Sequence, residues 1–194
     1  MQNYSEIIQN QLLESINVKQ EFLENYTDAI NSAAQKLVAA VTGDGKILIC
    51  GNGGSAADAQ HLAAELVAKL KYRRRAIPAL ALTTDTSLLT AIANDDDFSD
   101  IFARQIEAFG KAGDILIGIS TSGNSANVIK AVEIAKQQNL TTIILSGKNG
   151  GKLKELADLS IIVPSDNTQR IQECHITAGH ILCDIIEQTI YHSE

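Results

Sequence analysis

The sequence has few cysteines, no long hydrophobic run and little positive charge. Its three cysteines include no C-x-x-C pair, which argues against a zinc knuckle or a dithiol redox site and predicts reduced thiols. No segment approaches the ~20 apolar residues of a membrane span, and residues 1–10 lack the basic start of a signal peptide. We therefore expect a cytoplasmic protein with no membrane partner.

Acidic residues outnumber basic ones, and the formal net charge is −7. This balance disfavours nonspecific binding to nucleic acid, so an anionic ligand must be met by local positive charge. One basic run contains Lys69, Lys71 and residues 73–75. In an acidic chain such a run indicates a solvated helix end or a surface that pairs with another subunit. We expect no nucleic-acid partner.

The hydrophobic pattern predicts an α/β protein. Apolar residues recur at helical spacing twice within residues 1–42, which predicts two N-terminal helices. After Lys46, five short apolar runs each end in turn residues, and they lie at 47–50, 79–82, 115–119, 142–145 and 160–163. Helix-compatible stretches separate these runs, so residues 43–194 should form a parallel sheet covered on both faces. The last stretch, 169–191, predicts a long C-terminal helix.

A glycine-rich segment, residues 50–55, follows the first predicted strand and precedes a predicted helix at 56–70. We name residues 51–54 the glycine loop. Glycines let the backbone approach a ligand closely, and the following helix N-terminus favours an anion. A plain tight turn explains the same glycines equally well.

A second polar turn, residues 120–125 (STSGNS), follows the third predicted strand, and we name it the hydroxyl loop. Its several O–H and N–H donors suit a phosphate monoester, whereas the lysine of a nucleotide P-loop is absent. The alternative is a serine cap of the next helix, but one cap explains only one hydroxyl. We favour a phosphorylated ligand.

Two pairs of side chains have the spacing of metal ligands. His61 and Glu65 are four apart on a predicted helix and suit zinc or a similar divalent ion, although a surface pair is the commoner explanation. Gln172 and His180 lie two turns apart on the last helix, within ~80° around its axis. We interpret His175 as a partly exposed helix residue and His192 as part of the terminus, both outside the site.

Residues 94–97 (NDDD) lack the spaced oxygens of an EF-hand. Asn and Asp also serve as helix caps or accept hydrogen bonds from sugar hydroxyls. Of these alternatives we favour a sugar contact.

The segments GNGGSAADAQH-x3-E, ALTTDTSLLTAIAND, GDILIGISTSGNSANV and RIQECH-x4-H together resemble the phosphoheptose isomerases of the sugar isomerase (SIS) family. The resemblance covers nearly the whole chain. It implies a single SIS domain over 1–194, with a flavodoxin-like five-stranded parallel sheet, extra N-terminal helices over 1–42 and a long C-terminal helix. It also implies a homotetramer with active sites at the subunit interfaces.

The resemblance implies conversion of D-sedoheptulose 7-phosphate to D-glycero-D-manno-heptose 7-phosphate through an enediol. This reaction opens the synthesis of ADP-heptose for lipopolysaccharide core or surface glycans. Glu65 would be the base and His180 the acid, and one zinc ion per subunit would be held by His61, Glu65, Gln172 and His180. The implied substrate contacts are Asn52, Gly53, Gly54, Glu65, Asn94, Asp95, Ser120, Thr121, Ser122, Ser125 and Gln172.

The chain departs from the family pattern at two places. Asp96 and Asp97 stand where many members have an aromatic residue and a glycine, and Lys69 stands where arginine is frequent. The main rival interpretation is a noncatalytic SIS protein that binds the bacterial replication initiator, but such proteins lack the acid and base that Glu65 and His180 supply. A third, a sugar-phosphate sensor that regulates transcription, would need a DNA-binding helix pair that this sequence lacks.

Overall fold

Five parallel strands form one sheet in the order β2-β1-β3-β4-β5. The computed structural model describes residues 3–191, so His192 lies outside the described residues. The strands are β1 Ile47–Gly51, β2 Ala79–Ala81, β3 Ile115–Ser120, β4 Thr141–Gly147 and β5 Leu159–Val163. The helices are α1 Ser5–Thr42, α2 Gly54–Val67, α3 Thr86–Asp95, α4 Ala103–Phe109, α5 Ala126–Gln137, α6 Leu153–Leu156 and α7 Thr168–Tyr191, with a 3₁₀ turn at Phe98–Asp100. The predicted α/β class and five-stranded parallel sheet are confirmed.

The apolar runs are buried on both sides because helices cover both faces of the sheet. Along β1, Ile47 and Ile49 pack beneath α1, α2 and α7, whereas Leu48 and Cys50 pack beneath the helices of the opposite face. This alternation divides the core into two layers, one on each side of the sheet. Continuous apolar runs are therefore the pattern that a doubly covered parallel sheet requires.

The N-terminal region corrects one prediction. A single helix, α1, runs over Ser5–Thr42 where two helices were predicted. The polar stretch between the two apolar segments contains neither glycine nor proline, so nothing in it breaks a helix. Phe22 and Ile30 in that stretch are buried in the core, and their packing stabilises the helix between the two apolar segments.

The two halves of α1 have different surroundings. Its second half packs into the core, and its buried side chains are Phe22, Ile30, Ala33, Ala34 and Leu37. Its first half presents five large apolar side chains that are 55–61% exposed: Ile7, Ile8, Leu12, Leu13 and Ile16. Exposed apolar patches are often found at interaction surfaces. Within residues 3–191, no helix has both the length and the apolar content to cross a membrane.

The strand order places the glycine loop and the hydroxyl loop side by side. The glycine loop begins at the carboxyl end of β1 and the hydroxyl loop at that of β3, and these strands are neighbours, with Gly51 paired to Ile119. Between β1 and β3 the strand order reverses direction along the sheet. Ligands of open α/β sheets bind at such a switch point.

Candidate active site

Helices α2 and α7 lie side by side and run in the same direction. The contacts between them show this, since later residues of α2 meet later residues of α7. Gly54 at the start of α2 meets the Gln172 carboxamide, and a Cβ at Gly54 would collide with it. Further along, Leu62 packs against Gly179, where a Cβ would lie 2.6 Å from Leu62 Cδ2. The small residues allow close approach of the two helices, so the side chains that flank this contact meet.

His61, Glu65 and His180 form a cluster at this helix contact. His61 Nε2 lies 3.1 Å from Glu65 Oε1 and 3.4 Å from His180 Nε2. The two imidazole rings are edge to face, with centroids 5.0 Å apart. The His61 side chain is 48% exposed and that of Glu65 is 21% exposed, so the cluster opens toward the surface.

The cluster has the donors that a divalent ion prefers. One ligand atom from each of His61, Glu65 and His180 lies within 4.8 Å of the others. Imidazole nitrogen and carboxylate oxygen are ligand atoms that suit zinc and similar divalent ions. Three of the four predicted ligands are therefore brought together. Gln172 lies on the same face of the α2–α7 contact, two turns before His180, beside Gly54.

Asp58, which the sequence interpretation passed over, lies close to the cluster. Its Oδ2 is buried and has no hydrogen-bond partner among the described residues. Burial raises the pKa of Asp58, while the charges of His61 and His180 act in the opposite direction. The signal was available, because Asp58 precedes His61 by three residues and shares its helix face. An unpartnered carboxylate at this position adds negative potential to the cluster.

The glycine loop is joined to both of its neighbours. Gly53 has φ of 56°, a conformation that favours glycine, and this turn carries the chain from β1 into α2. Asn52 pairs with Asn127 in α5, and Gly54 touches Gln172 in α7. These contacts hold the loop between the start of α5 and helix α7.

The hydroxyl loop leaves donors unused at the start of α5. Ser125 occupies the N-cap position, yet its side chain makes no capping hydrogen bond. Instead Ser120 Oγ and Ser125 Oγ lie 2.9 Å apart, and Ser122 Oγ accepts a hydrogen bond from the Asn124 N–H at 3.2 Å. The cap explanation therefore fails. Hydroxyls together with the free N–H groups of a helix start suit a phosphate.

Comparisons with known proteins identify the family of this chain. The SIS domain family model matches residues 12–147. A phosphoheptose isomerase from Sulfurimonas denitrificans is 52% identical over 186 residues, which cover 95% of each chain. This chain belongs to the phosphoheptose isomerases. The solved phosphoheptose isomerase of Neisseria gonorrhoeae is 46% identical with a TM-score of 0.91, and that of Francisella tularensis is 40% identical with a TM-score of 0.93. Each comparison covers 96% of this chain and 100% of the solved one.

Asn94 and Asp95 lie at the exposed end of α3. Asn94 Nδ2 donates to Asp95 Oδ1 at 2.8 Å, and no hydrogen bond within residues 3–191 joins either side chain to the two loops. Asp97 caps the 3₁₀ turn by accepting from the Ser99 N–H at 2.7 Å. Hydrogen bonds from Ser99 hold the pKa of Asp97 below its ordinary value. The cap alternative is therefore correct for Asp97.

The basic run is not uniformly solvated. The Arg74 side chain is 3% exposed and pairs with Glu187, whose side chain is fully buried. Arg74 also donates to the carbonyl oxygens of Glu65 and Leu66, so it closes the end of α2, the helix that carries His61 and Glu65. Its partner lies 113 residues away, which sequence spacing could not reveal.

His175 was wrongly interpreted as partly exposed. It is 1% exposed, and its Nε2–H donates to the Ser146 carbonyl at 3.0 Å. Burial lowers its pKa to about 4, so the imidazole is neutral. It shares the inward face of α7 with Ile171, Cys174 and Ala178, and it anchors that helix to the end of β4. The three cysteines are free thiols, as predicted, and all three are buried.

Proposed function

We propose that this chain isomerises D-sedoheptulose 7-phosphate to D-glycero-D-manno-heptose 7-phosphate. The observation that carries the proposal is the cluster of His61, Glu65 and His180, which lies at the helix that follows the glycine loop. The cluster occurs in a chain that is 52% identical to a phosphoheptose isomerase along almost its full length. Fold alone would not distinguish an enzyme from a binding protein, whereas this set of side chains does.

Ketose-to-aldose conversion moves a proton between adjacent carbons through an enediol, so it needs a base and an acid. Glu65 is the base in this proposal, because its carboxylate is partly exposed at the open side of the cluster. His180 is the acid, and its ring meets the other two groups from the neighbouring helix α7. The two helices therefore supply the two proton carriers from opposite sides of one opening.

The four side chains His61, Glu65, Gln172 and His180 would hold one zinc ion per subunit. Such an ion, when bound, polarises the carbonyl and hydroxyl oxygens of a sugar. A carboxylate engaged by a metal is a weaker base, so ion binding and proton transfer by Glu65 compete. Gln172 would touch both the ion and the substrate.

The substrate contacts divide into two groups. Ser120, Thr121, Ser122 and Ser125 would hold the phosphate, together with the free N–H groups at the start of α5. Asn52, Gly53, Gly54, Asn94 and Asp95 would line the sugar. The exposure of Asn94 and Asp95 suits a site that a second subunit completes.

We also propose a homotetramer with active sites at the subunit interfaces. The exposed apolar stripe of α1 would be covered by another copy of the chain. A second apolar surface adjoins it, a cavity of about 640 Å³ between α1 and α7 that Phe22, Leu23 and Ile181 help to line. Replacing Leu12 and Ile16 by lysine should yield smaller species in sedimentation analysis, and an unchanged tetramer would exclude this surface.

The pathway and compartment are part of the same proposal. The product would enter ADP-heptose synthesis for lipopolysaccharide core or surface glycans, and the enzyme would act in the cytoplasm. The noncatalytic alternative, a partner of the replication initiator, is not favoured, because the chain retains Glu65 and His180 within one cluster.

The test is isomerisation of sedoheptulose 7-phosphate by the purified protein, with and without added zinc. Glu65→Gln keeps the size of the side chain and removes the carboxylate, and it should abolish product formation. Glu133→Gln makes the same change at an exposed position of α5 and should retain activity. A folded wild-type protein that is inactive under every metal condition would overturn the proposal.

A further inference from the structure

Asn52 and Asn127 form a closed pair of carboxamides between two separate segments. Asn52 Nδ2 donates to Asn127 Oδ1 at 2.9 Å, and Asn127 Nδ2 donates to Asn52 Oδ1 at 2.8 Å. Two reciprocal bonds fix orientation as well as distance, since either amide can rotate freely only by breaking both.

The orientation of the pair is set by the backbone of α5. The Val128 N–H donates to Asn127 Oδ1 at 3.0 Å, which identifies that atom as the oxygen and leaves Nδ2 to face Asn52. Asn127 is 3% exposed, so breaking its bonds would leave polar atoms buried without partners. The pair is therefore a rigid connection whose geometry is anchored on α5.

The pair spans the switch point of the sheet. Asn52 belongs to the glycine loop, and Asn127 lies two residues after Ser125, the last residue of the hydroxyl loop. The strands that precede the two loops, β1 and β3, are hydrogen-bonded neighbours. The amide pair therefore connects the glycine loop to the first turn of α5, directly after the hydroxyl loop.

We propose that Asn127 is a positioning residue that fixes the glycine loop against the hydroxyl loop. The inference rests on the proposed function, in which one loop holds the phosphate and the other approaches the sugar. A phosphosugar must engage both loops at once, so the separation between them determines whether the reacting carbons reach Glu65. Inorganic phosphate occupies only the hydroxyl loop and does not depend on that separation.

The pair also limits what Asn52 can do. A carboxamide has two N–H donors, and the bond to Asn127 uses one of them. Asn52 keeps one N–H for a substrate hydroxyl, in a direction that Asn127 determines. A change at Asn127 therefore acts through Asn52 even though Asn127 is buried beneath the loops.

The test compares Asn127→Ala with the wild-type protein in full kinetics. Alanine favours the helix and adds no charge near the phosphate. We expect kcat/KM for sedoheptulose 7-phosphate to fall about ten-fold, equivalent to about 1.4 kcal/mol. The inhibition constant of inorganic phosphate should stay within about two-fold of the wild-type value, equivalent to about 0.4 kcal/mol. The reason is that phosphate occupies only the hydroxyl loop. Gln137→Ala removes an exposed carboxamide from the same helix and should change neither constant.

A double-mutant cycle with Asn52→Ala tests whether the effect passes through that residue. The loss caused by Asn127→Ala should largely vanish when Asn52 is already alanine. Asn127→Ser keeps an acceptor for the Val128 N–H but cannot form the two reciprocal hydrogen bonds with Asn52. It provides a second variant if the alanine variant proves unstable. Additive losses, unchanged kcat/KM, or an equal loss of phosphate affinity would each overturn the positioning role. Absence of wild-type activity would instead contradict the proposed function.

Discussion

Leu62 of α2 packs directly onto Gly179 of α7, where a methyl group would lie 2.6 Å from Leu62 Cδ2. Each residue is the sequence neighbour of a histidine in the cluster, since Leu62 follows His61 and Gly179 precedes His180. The distance of 3.4 Å between the two imidazole Nε2 atoms therefore accompanies a close helix contact at which an added methyl group would displace Leu62.

Gly179→Ala should force the two helices apart and weaken the cluster. Overpacking of this kind lowers the free energy of unfolding by about 1–3 kcal/mol, and the better helix propensity of alanine offsets about 1 kcal/mol of that loss. We expect the affinity for Co²⁺, followed by its absorption spectrum, to fall about ten-fold for a loss of ~1.4 kcal/mol. Adding Leu62→Ala should restore binding by making room for the methyl group. Failure of the double variant to recover would show that Gly179 matters for another reason.

Glu187→Gln should destabilise the protein strongly, because it leaves the Arg74 charge buried. Burial alone would raise the pKa of Glu187, but hydrogen bonds from three backbone N–H groups and Arg74 lower it. Breaking a buried pair costs about 3–5 kcal/mol. The measurement is urea unfolding. Asp184 lies on the same helix as Glu187 and forms an exposed ion pair with Lys71. Asp184→Asn breaks this pair and should lower the free energy of unfolding by less than about 1 kcal/mol. Equal losses would contradict this account.

Much of the architecture could be predicted from the sequence, because it depends on local patterns. The five apolar runs predicted the five strands, and the spacing of His61 and Glu65 predicted that both lie on one face of a helix. The buried pair of Arg74 and Glu187 could not be predicted, since no local pattern joins residues 113 apart.

Two errors arose where a local signal was misread. The α1 helix was divided in two because its middle is polar, although polar residues without glycine or proline do not end a helix. His175 lies four residues after Ile171 and three before Ala178, the spacing of a buried face, and that periodicity should have placed it inside.

Stability should fall in mild acid because of His175. Its pKa is lowered from 6.5 to about 4 in the folded protein, so between these values the unfolded chain binds more protons. Unfolding free energy should therefore decrease as pH falls from 6.5 toward 4, by up to about 3 kcal/mol. His175→Gln keeps a donor for the Ser146 carbonyl and should flatten this dependence. Above pH 6.5 the two pH profiles should run parallel, and a variant as acid-sensitive as wild type would contradict the assignment.

Asp58→Asn should weaken the binding of a divalent ion without changing a ligand. The Asp58 carboxylate has a buried oxygen without a partner, and its pKa responds to the charges of His61 and His180, so its field reaches the cluster. Because Asp58 makes no hydrogen bond to a ligand side chain within residues 3–191, the substitution removes only its charge, and we expect the affinity for zinc to fall by about three- to ten-fold, or ~0.6–1.4 kcal/mol. Calorimetric titration with zinc measures the change. Asp44→Asn makes the same charge change at a left-handed position that asparagine tolerates and should leave affinity unchanged. If both variants bind zinc as tightly as wild type, Asp58 does not contribute to the site, and its burial beside two histidines reflects packing alone.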